Sequence, residues 1–347
     1  MFKLLRSLLP SKSHDAAPAV EPLPAPVEVV LAQGVDGFAI AAHLSKSGGF
    51  PLLDWEAAQC WVGAIADARE GDAAWGRLER AWLEHLQLSL GSRYLLRESA
   101  SSLLLATLEP NVANATLSFM SKTLGRITSV LDGIAQAPAS GKDILIVFDD
   151  EDAYYAYVSQ YYPNAGEFAA SGGMYINFGC GHFATVKSDL HAIEPVIAHE
   201  MTHSCLSHLP IPAWLNEGLA VNTEQRLCSV GPSMFSAREM HAKHLAFWGD
   251  AEIQQFWSGK SFLRNDDGNL LSYDLARIIV SQLSADWPLF RSFALHASAA
   301  DAGAAAAAEH LDLDLGAVAS ALLERETGNA WRPNPAAWIE APERGAF

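Results

Sequence analysis

Ala198-His199-Glu200-Met201-Thr202-His203 and, further along, Trp214-Leu215-Asn216-Glu217-Gly218-Leu219-Ala220 are the stretches that decide the fold of this chain. Histidines at i and i+4 lie one turn apart on one helix face, so two imidazoles can converge on a single ion. The glutamate between them projects near the same edge and can hold a water at that ion, which is the mechanical reason for H-E-x-x-H in zinc hydrolases. Pro195-Val196-Ile197-Ala198 sets an apolar face ahead of the motif, as a buried metal helix requires. Catalytic zinc takes three protein ligands and keeps one position open. Thirteen residues separate His203 from Glu217, and Pro210 and Pro212 among them end the first helix and turn the chain. A second helix can then run back beside the first and present Glu217 as the third ligand. Gly218 is expected to let these two helices approach closely beside the metal. The two helices are predicted over 192–209 and 213–227.

HEMTH followed by WLNEGLA resembles the gluzincin metallopeptidases, most closely the aminopeptidase N family and the smaller bacterial peptidase MA-like domains. The resemblance implies an α+β, thermolysin-like catalytic domain, a small mixed sheet with active-site helices, extended here by added N-terminal and C-terminal helices. It implies a Zn2+ cofactor held by His199, His203 and Glu217, with Glu200 as general base. It also places a carboxylate at Glu224, seven residues after Glu217 on the same helix face, where an acid can fix a ligand histidine by accepting its other N–H. Tyr273, expected to open a helix over 273–283, falls where the family has a tyrosine that donates to the developing oxyanion.

Upstream, Gly172-Gly173-Met174-Tyr175-Ile176-Asn177-Phe178 has a strand pattern and sits at a spacing like that of the family's G-x-M-E-N segment. By resemblance Gly173, Met174 and Tyr175 line the substrate, with an edge strand for pairing an extended peptide. The family's glutamate, which binds a free amino terminus, is replaced by Tyr175, and a phenol cannot neutralise an ammonium as a carboxylate does. The expected activity is therefore zinc-dependent hydrolysis of peptide bonds in a peptide or protein substrate, as an endopeptidase rather than an aminopeptidase. The alternative is a non-enzymatic interaction or regulatory protein with a retained zinc site. The intact Glu200 speaks against it.

Outward from this centre the chain divides into a flexible tail and Pro-rich linker (1–32), a helical hairpin region (33–90), the catalytic domain (91–297) and a helical, Pro/Trp-rich C-terminal segment (298–347). The hairpin is predicted from helical apolar spacing over 55–68 and 73–90 with Gly71 between, and Trp55, Trp61, Trp75, Trp82 and Leu86 are read as core. One strand or two short ones are predicted over 94–108, a helix over 110–134 opened by Pro110, and a buried strand at Ile144-Leu145-Ile146-Val147-Phe148. An acidic, Tyr-rich stretch covers 149–162, and an Ala-rich helix starts near residue 300.

Composition bounds the rest. The 347 residues carry 23 Lys+Arg against 40 Asp+Glu, a net charge of −17, with 50% hydrophobic and 18% charged residues. That balance excludes intrinsic disorder. It disfavours nucleic acid and anionic membrane surfaces, and if charge steers substrates at all it favours basic peptides. No run is long and apolar enough for a membrane span. Arg6 and Pro10 interrupt the N-terminal apolar segment that an export signal would need. The scattered cysteines Cys60, Cys180, Cys205 and Cys228 form no disulfide framework, which points to a reducing cytoplasm. His208, His241 and His244 have no fixed spacing to the motif.

Overall fold

Residues 23–161, 172–229, 234–326 and 328–338 are described by the structure, a computed structural model. Of the expected tail, residues 1–22 fall outside these. The rest is not all linker: β1 (Val29–Val30) pairs antiparallel with β2 (Phe38–Ala39), and Val30 is buried. A second hairpin follows, β3 (Leu44–Ser47) with β4 (Phe50–Leu53).

Two helices come next, α1 (Trp55–Gly63) and α2 (Ala68–Leu90), but the break lies at 64–67 and not at Gly71. Asp67 sets the start of α2 by accepting from the Arg69 N–H, and N-cap acceptors of this kind outrank an internal glycine as helix punctuation. Gly71 is instead buried inside α2, where it faces Val62 of the first helix. Trp55, Trp82 and Leu86 are core residues as expected, whereas Trp61 and Trp75 are only partly buried.

The main sheet is built from β5 (Leu95–Glu98), β6 (Ser102–Ala106), β7 (Asp143–Phe148), β8 (Gly173–Phe178) and β9 (Cys180–Val186), in the order β5-β6-β7-β9-β8. β6, β7 and β9 are parallel, and the outer pairs β5–β6 and β8–β9 are antiparallel. Between the strands run α3 (Pro110–Val130), with Pro110 in its first turn, and α4 (Glu151–Val158). The central strands β6 and β7 carry apolar runs, Leu103 to Ala106 and Ile144 to Phe148, because both sheet faces are covered. Leu104, Leu145 and Val147 enter one core cluster with Ile197, Met201 and Leu219, while Leu103, Leu105, Ile144 and Ile146 enter the other with Trp55, Trp82 and Leu86. The N-terminal helices thus share their core with the sheet across the expected boundary at residue 90.

On the first face lie α5 (Leu190–Leu206) and α6 (Ala213–Leu227), followed by α7 (Ala237–Phe247), α8 (Asp250–Trp257) and α9 (Asp267–Leu283). α9 begins six residues ahead of Tyr273, because Asp266 caps it by accepting from the Gly268 N–H. Then come α10 (Trp287–His296), α11 (Ala304–Leu311) and α12 (Leu315–Leu322). The expected Ala-rich helix is two, separated where Asp314 accepts from the Gly316 and Ala317 N–H groups. Ala307, Leu315 and Trp331 pack into the same core as α5 and α6. The chain is a mixed helix-and-sheet protein in which, among the described residues, no helix is long and apolar enough to cross a membrane.

Candidate metal centre

α5 and α6 are joined by a short turn through Pro210 and Pro212, and α6 starts directly after Pro212. A proline at this point ends one helix and presets the backbone for the next. The return brings Glu217 against both histidines. The His199 Nε2 lies 3.2 Å and the His203 Nε2 3.4 Å from the same Glu217 Oε2. Tetrahedral zinc with bonds of about 2.0–2.1 Å holds its ligand atoms roughly 3.3–3.4 Å apart, so these spacings suit a metal ion. Ligand atoms of His199, His203 and Glu217 all lie within 4.8 Å of one another, the one such group of three among the described residues.

The outer ring nitrogens are held as well. His199 Nδ1 meets Glu224 Oε2 at 3.2 Å, and His203 Nδ1 meets Asn216 Oδ1 at 3.0 Å. Each Nδ1 is therefore held against a fixed oxygen, an arrangement that turns both Nε2 atoms towards Glu217. Glu224 lies on α6, seven residues after Glu217. Asn216 was not anticipated, although it immediately precedes the ligand Glu217 and shares its turn of α6.

Electrostatics reinforce the cluster. Burial alone would raise Glu217, but His203 and His199 outweigh it and hold the carboxyl down at about 2. Burial would lower His199, yet its hydrogen bonds to Glu217 and Glu224 keep it well above the ordinary imidazole range. Glu200, 7% exposed, is pushed up by burial against the attraction of His199 and His203.

Glu200 faces the sheet. It accepts from the backbone N–H of Tyr175 on β8, the edge strand of the main sheet. Gly173 makes this approach possible: a Cβ there would stand 2.4 Å from Val196 Cγ1 and 3.5 Å from Glu200 Oε1. Gly173 and Tyr175 thus lie against α5, as the alternation of a strand requires. Met174 turns to the opposite face and packs with the other core cluster, so its side chain does not reach the helix. The Tyr175 side chain is buried, with its hydroxyl directed at Ser207 and Ser204.

Tyr273 comes from the second turn of α9, with its ring centroid 6.2 Å from that of His199 and edge-on to Phe262 at 5.3 Å. Gly218 does not serve the contact between α5 and α6. Its missing Cβ clears α9, where it would stand 2.6 Å from the Ala276 carbonyl oxygen and 2.5 Å from Val280 Cγ2. Asn222 ties the same two helices by donating to the Gly218 and Arg277 carbonyls. His208, His241 and His244 lie outside the cluster. His244 is bound to Asp274 and Trp248, His241 meets Glu324, and His208 is exposed. All four cysteines are free thiols.

No protein-family model matches the chain, and comparison with the curated proteins and with the solved structures gives no significant match.

Proposed function

We propose that this chain is a zinc-dependent peptidase of the gluzincin type, cutting within peptide or protein chains. The observation that carries the reading is the convergence of His199 Nε2 and His203 Nε2 on Glu217 Oε2, with the buried Glu200 between that point and edge strand β8. A mixed sheet with an antiparallel edge strand beside the H-E-x-x-H helix, and a following helix that carries the third ligand, fits a thermolysin-like arrangement.

His199, His203 and Glu217 would hold a zinc ion, which would supply Lewis-acid polarisation of a carbonyl and acidification of a water. Glu200 takes the proton of the attacking water and passes it to the leaving nitrogen. The Tyr273 hydroxyl donates to the oxygen that gains charge. β8 offers its edge to an extended substrate backbone. Tyr175 in place of an acid favours internal cleavage over removal of a terminal residue, and the four free thiols fit a reducing, cytoplasmic setting.

The test has two parts. Purified protein is expected to hold one zinc per chain, with Glu217→Ala losing most of it. Glu200→Gln is expected to keep the metal and lose turnover of a peptide library by about 100-fold or more. Full turnover by Glu200→Gln sinks the mechanism, and wild type without stoichiometric metal sinks the centre itself.

A further inference from the structure

A cavity of about 450 Å3 opens near the C-terminal end of α5, where Ser204 and Ser207 line it, within the ~300–1,000 Å3 range of small-ligand sites. It lies between the N-terminal helices, the loop before β7, and the β8–β9 turn, and its lining includes Trp75, Glu79, Lys142, Tyr175 and Ser204. Two of these join it to the chemistry. Tyr175 reaches Glu200 through its backbone N–H, and Ser204 directly follows the ligand His203.

Glu79 is the unexpected member. It is a carboxyl on α2, 3% exposed, with one oxygen accepting from Trp75 Nε1 at 2.8 Å and the other from the Lys142 backbone N–H at 3.0 Å. Neither donor is a charge. The Lys142 ammonium is engaged by Glu98 and by the Ser99 carbonyl instead. A second buried carboxyl, Asp143, stands nearby, bound on one oxygen by Ser204 and without a partner on the other. Burial raises Glu79 to about 8, opposed by the Lys142 N–H and Trp75 and reinforced by Asp143. Cys180, the other titratable group facing it, is itself pushed well up by burial.

Two glycines make room for these polar groups. A Cβ at Gly141 would lie 2.0 Å from Glu79 Oε1, and one at Gly181 would lie 2.4 Å from the Tyr175 hydroxyl. A hydrophobic core gains nothing from such a cradle, since a buried carboxyl without a cation costs stability. A cavity that holds one next to residues of edge strand β8 has a use for it.

We propose that this cavity binds an ammonium group of the substrate, either a lysine side chain or a free amino terminus, with Glu79 as its counter-charge. The proposal rests on the peptidase reading for what enters the cavity.

Calorimetric titration of zinc-loaded, full-length Glu200→Gln tests this without turnover. Three probes separate the sources: Nα-acetyl-lysine amide carries only the side-chain ammonium, norleucine amide only the α-ammonium, and Nα-acetyl-norleucine amide neither. One of the first two is expected to bind at least tenfold more tightly than the third. Adding Glu79→Gln is expected to remove that preference. Burial favours the neutral Glu79 carboxyl, so binding a cation at neutral pH should also release a proton, read from titrations in buffers of different ionisation enthalpy. If Glu79→Gln proves unstable, this proton count on the Glu200→Gln background decides alone. Equal affinity for all three probes, no binding by any, or binding without proton release overturns the proposal. Cation-selective binding in a protein whose wild type cleaves no peptide would count against the peptidase reading and leave the cavity assignment standing.

Discussion

Asn216 holds His203 by its outer nitrogen, with Oδ1 3.0 Å from Nδ1, from the position just before the ligand Glu217. One turn of α6 thus contributes both a member of the candidate cluster and the group that orients another member. Asn216→Ala frees the imidazole to rotate and to adopt the other tautomer. Zinc affinity, measured against a competing chelator, is expected to fall about 10- to 100-fold. Asn216→Asp keeps an acceptor in place and should lose much less.

Tyr273 stands beside His199 without entering the three-ligand cluster. Tyr273→Phe is expected to leave zinc stoichiometry and KM nearly unchanged and to lower kcat by about 100-fold or more, the signature of a donor used only as charge develops. Steady-state kinetics on a single cleaved peptide would check it. A loss confined to KM would place Tyr273 in substrate binding instead.

Gly218 is where α6 and α9 touch. A methyl group there meets a backbone carbonyl that cannot move aside without shifting α9. Gly218→Ala should cost about 1–3 kcal/mol in urea unfolding and weaken zinc binding, since Glu217 rides on the same turn.

Glu79 makes stability depend on pH. The carboxyl stays neutral in the fold until about pH 8 but ionises in the unfolded chain from 4.5 upward. The unfolded state binds fewer protons across that window, so stability is full below pH 4.5 and falls as pH rises towards 8. Asp143, raised by burial from 3.8 to about 6, acts in the same direction over a lower window. Urea midpoints taken from pH 5 to 8 should decline in the wild type. They should decline less steeply in Glu79→Gln, whatever the absolute cost of that substitution.

The centre was legible in the sequence because its parts are local. His199, Glu200, His203 and Glu217 obey helical spacing plus one proline turn, and such rules need no tertiary knowledge. The run from Ile144 to Phe148 announced a doubly buried strand for the same reason. What stayed hidden depends on partners distant in the chain. β9, the neighbour of β8, reads Cys-Gly-His-Phe-Ala-Thr-Val, in which a buried histidine bound to Tyr157 breaks the apolar run. The start of α9 was displaced because Asp266 and Asp267 resemble a turn until one sees that the first caps the helix. Gly218 was assigned to the wrong neighbour, since sequence shows that a glycine clears something but not what. Glu79 lies on α2, over a hundred positions before the motif, and only folding brings it beside Ser204 and Tyr175.

That uneven spacing sets an order of events during translation. The ligand trio is complete when Glu217 is made, and the sheet, β8 and Glu79 already precede it. Tyr273 follows 56 positions later, about 3–11 s at ordinary rates of synthesis. For that interval a nascent chain carries all the ligands for an ion but neither the tyrosine nor helix α9 that covers α6. The three residues of the cluster are thus all made before the tyrosine and the helix that complete their surroundings.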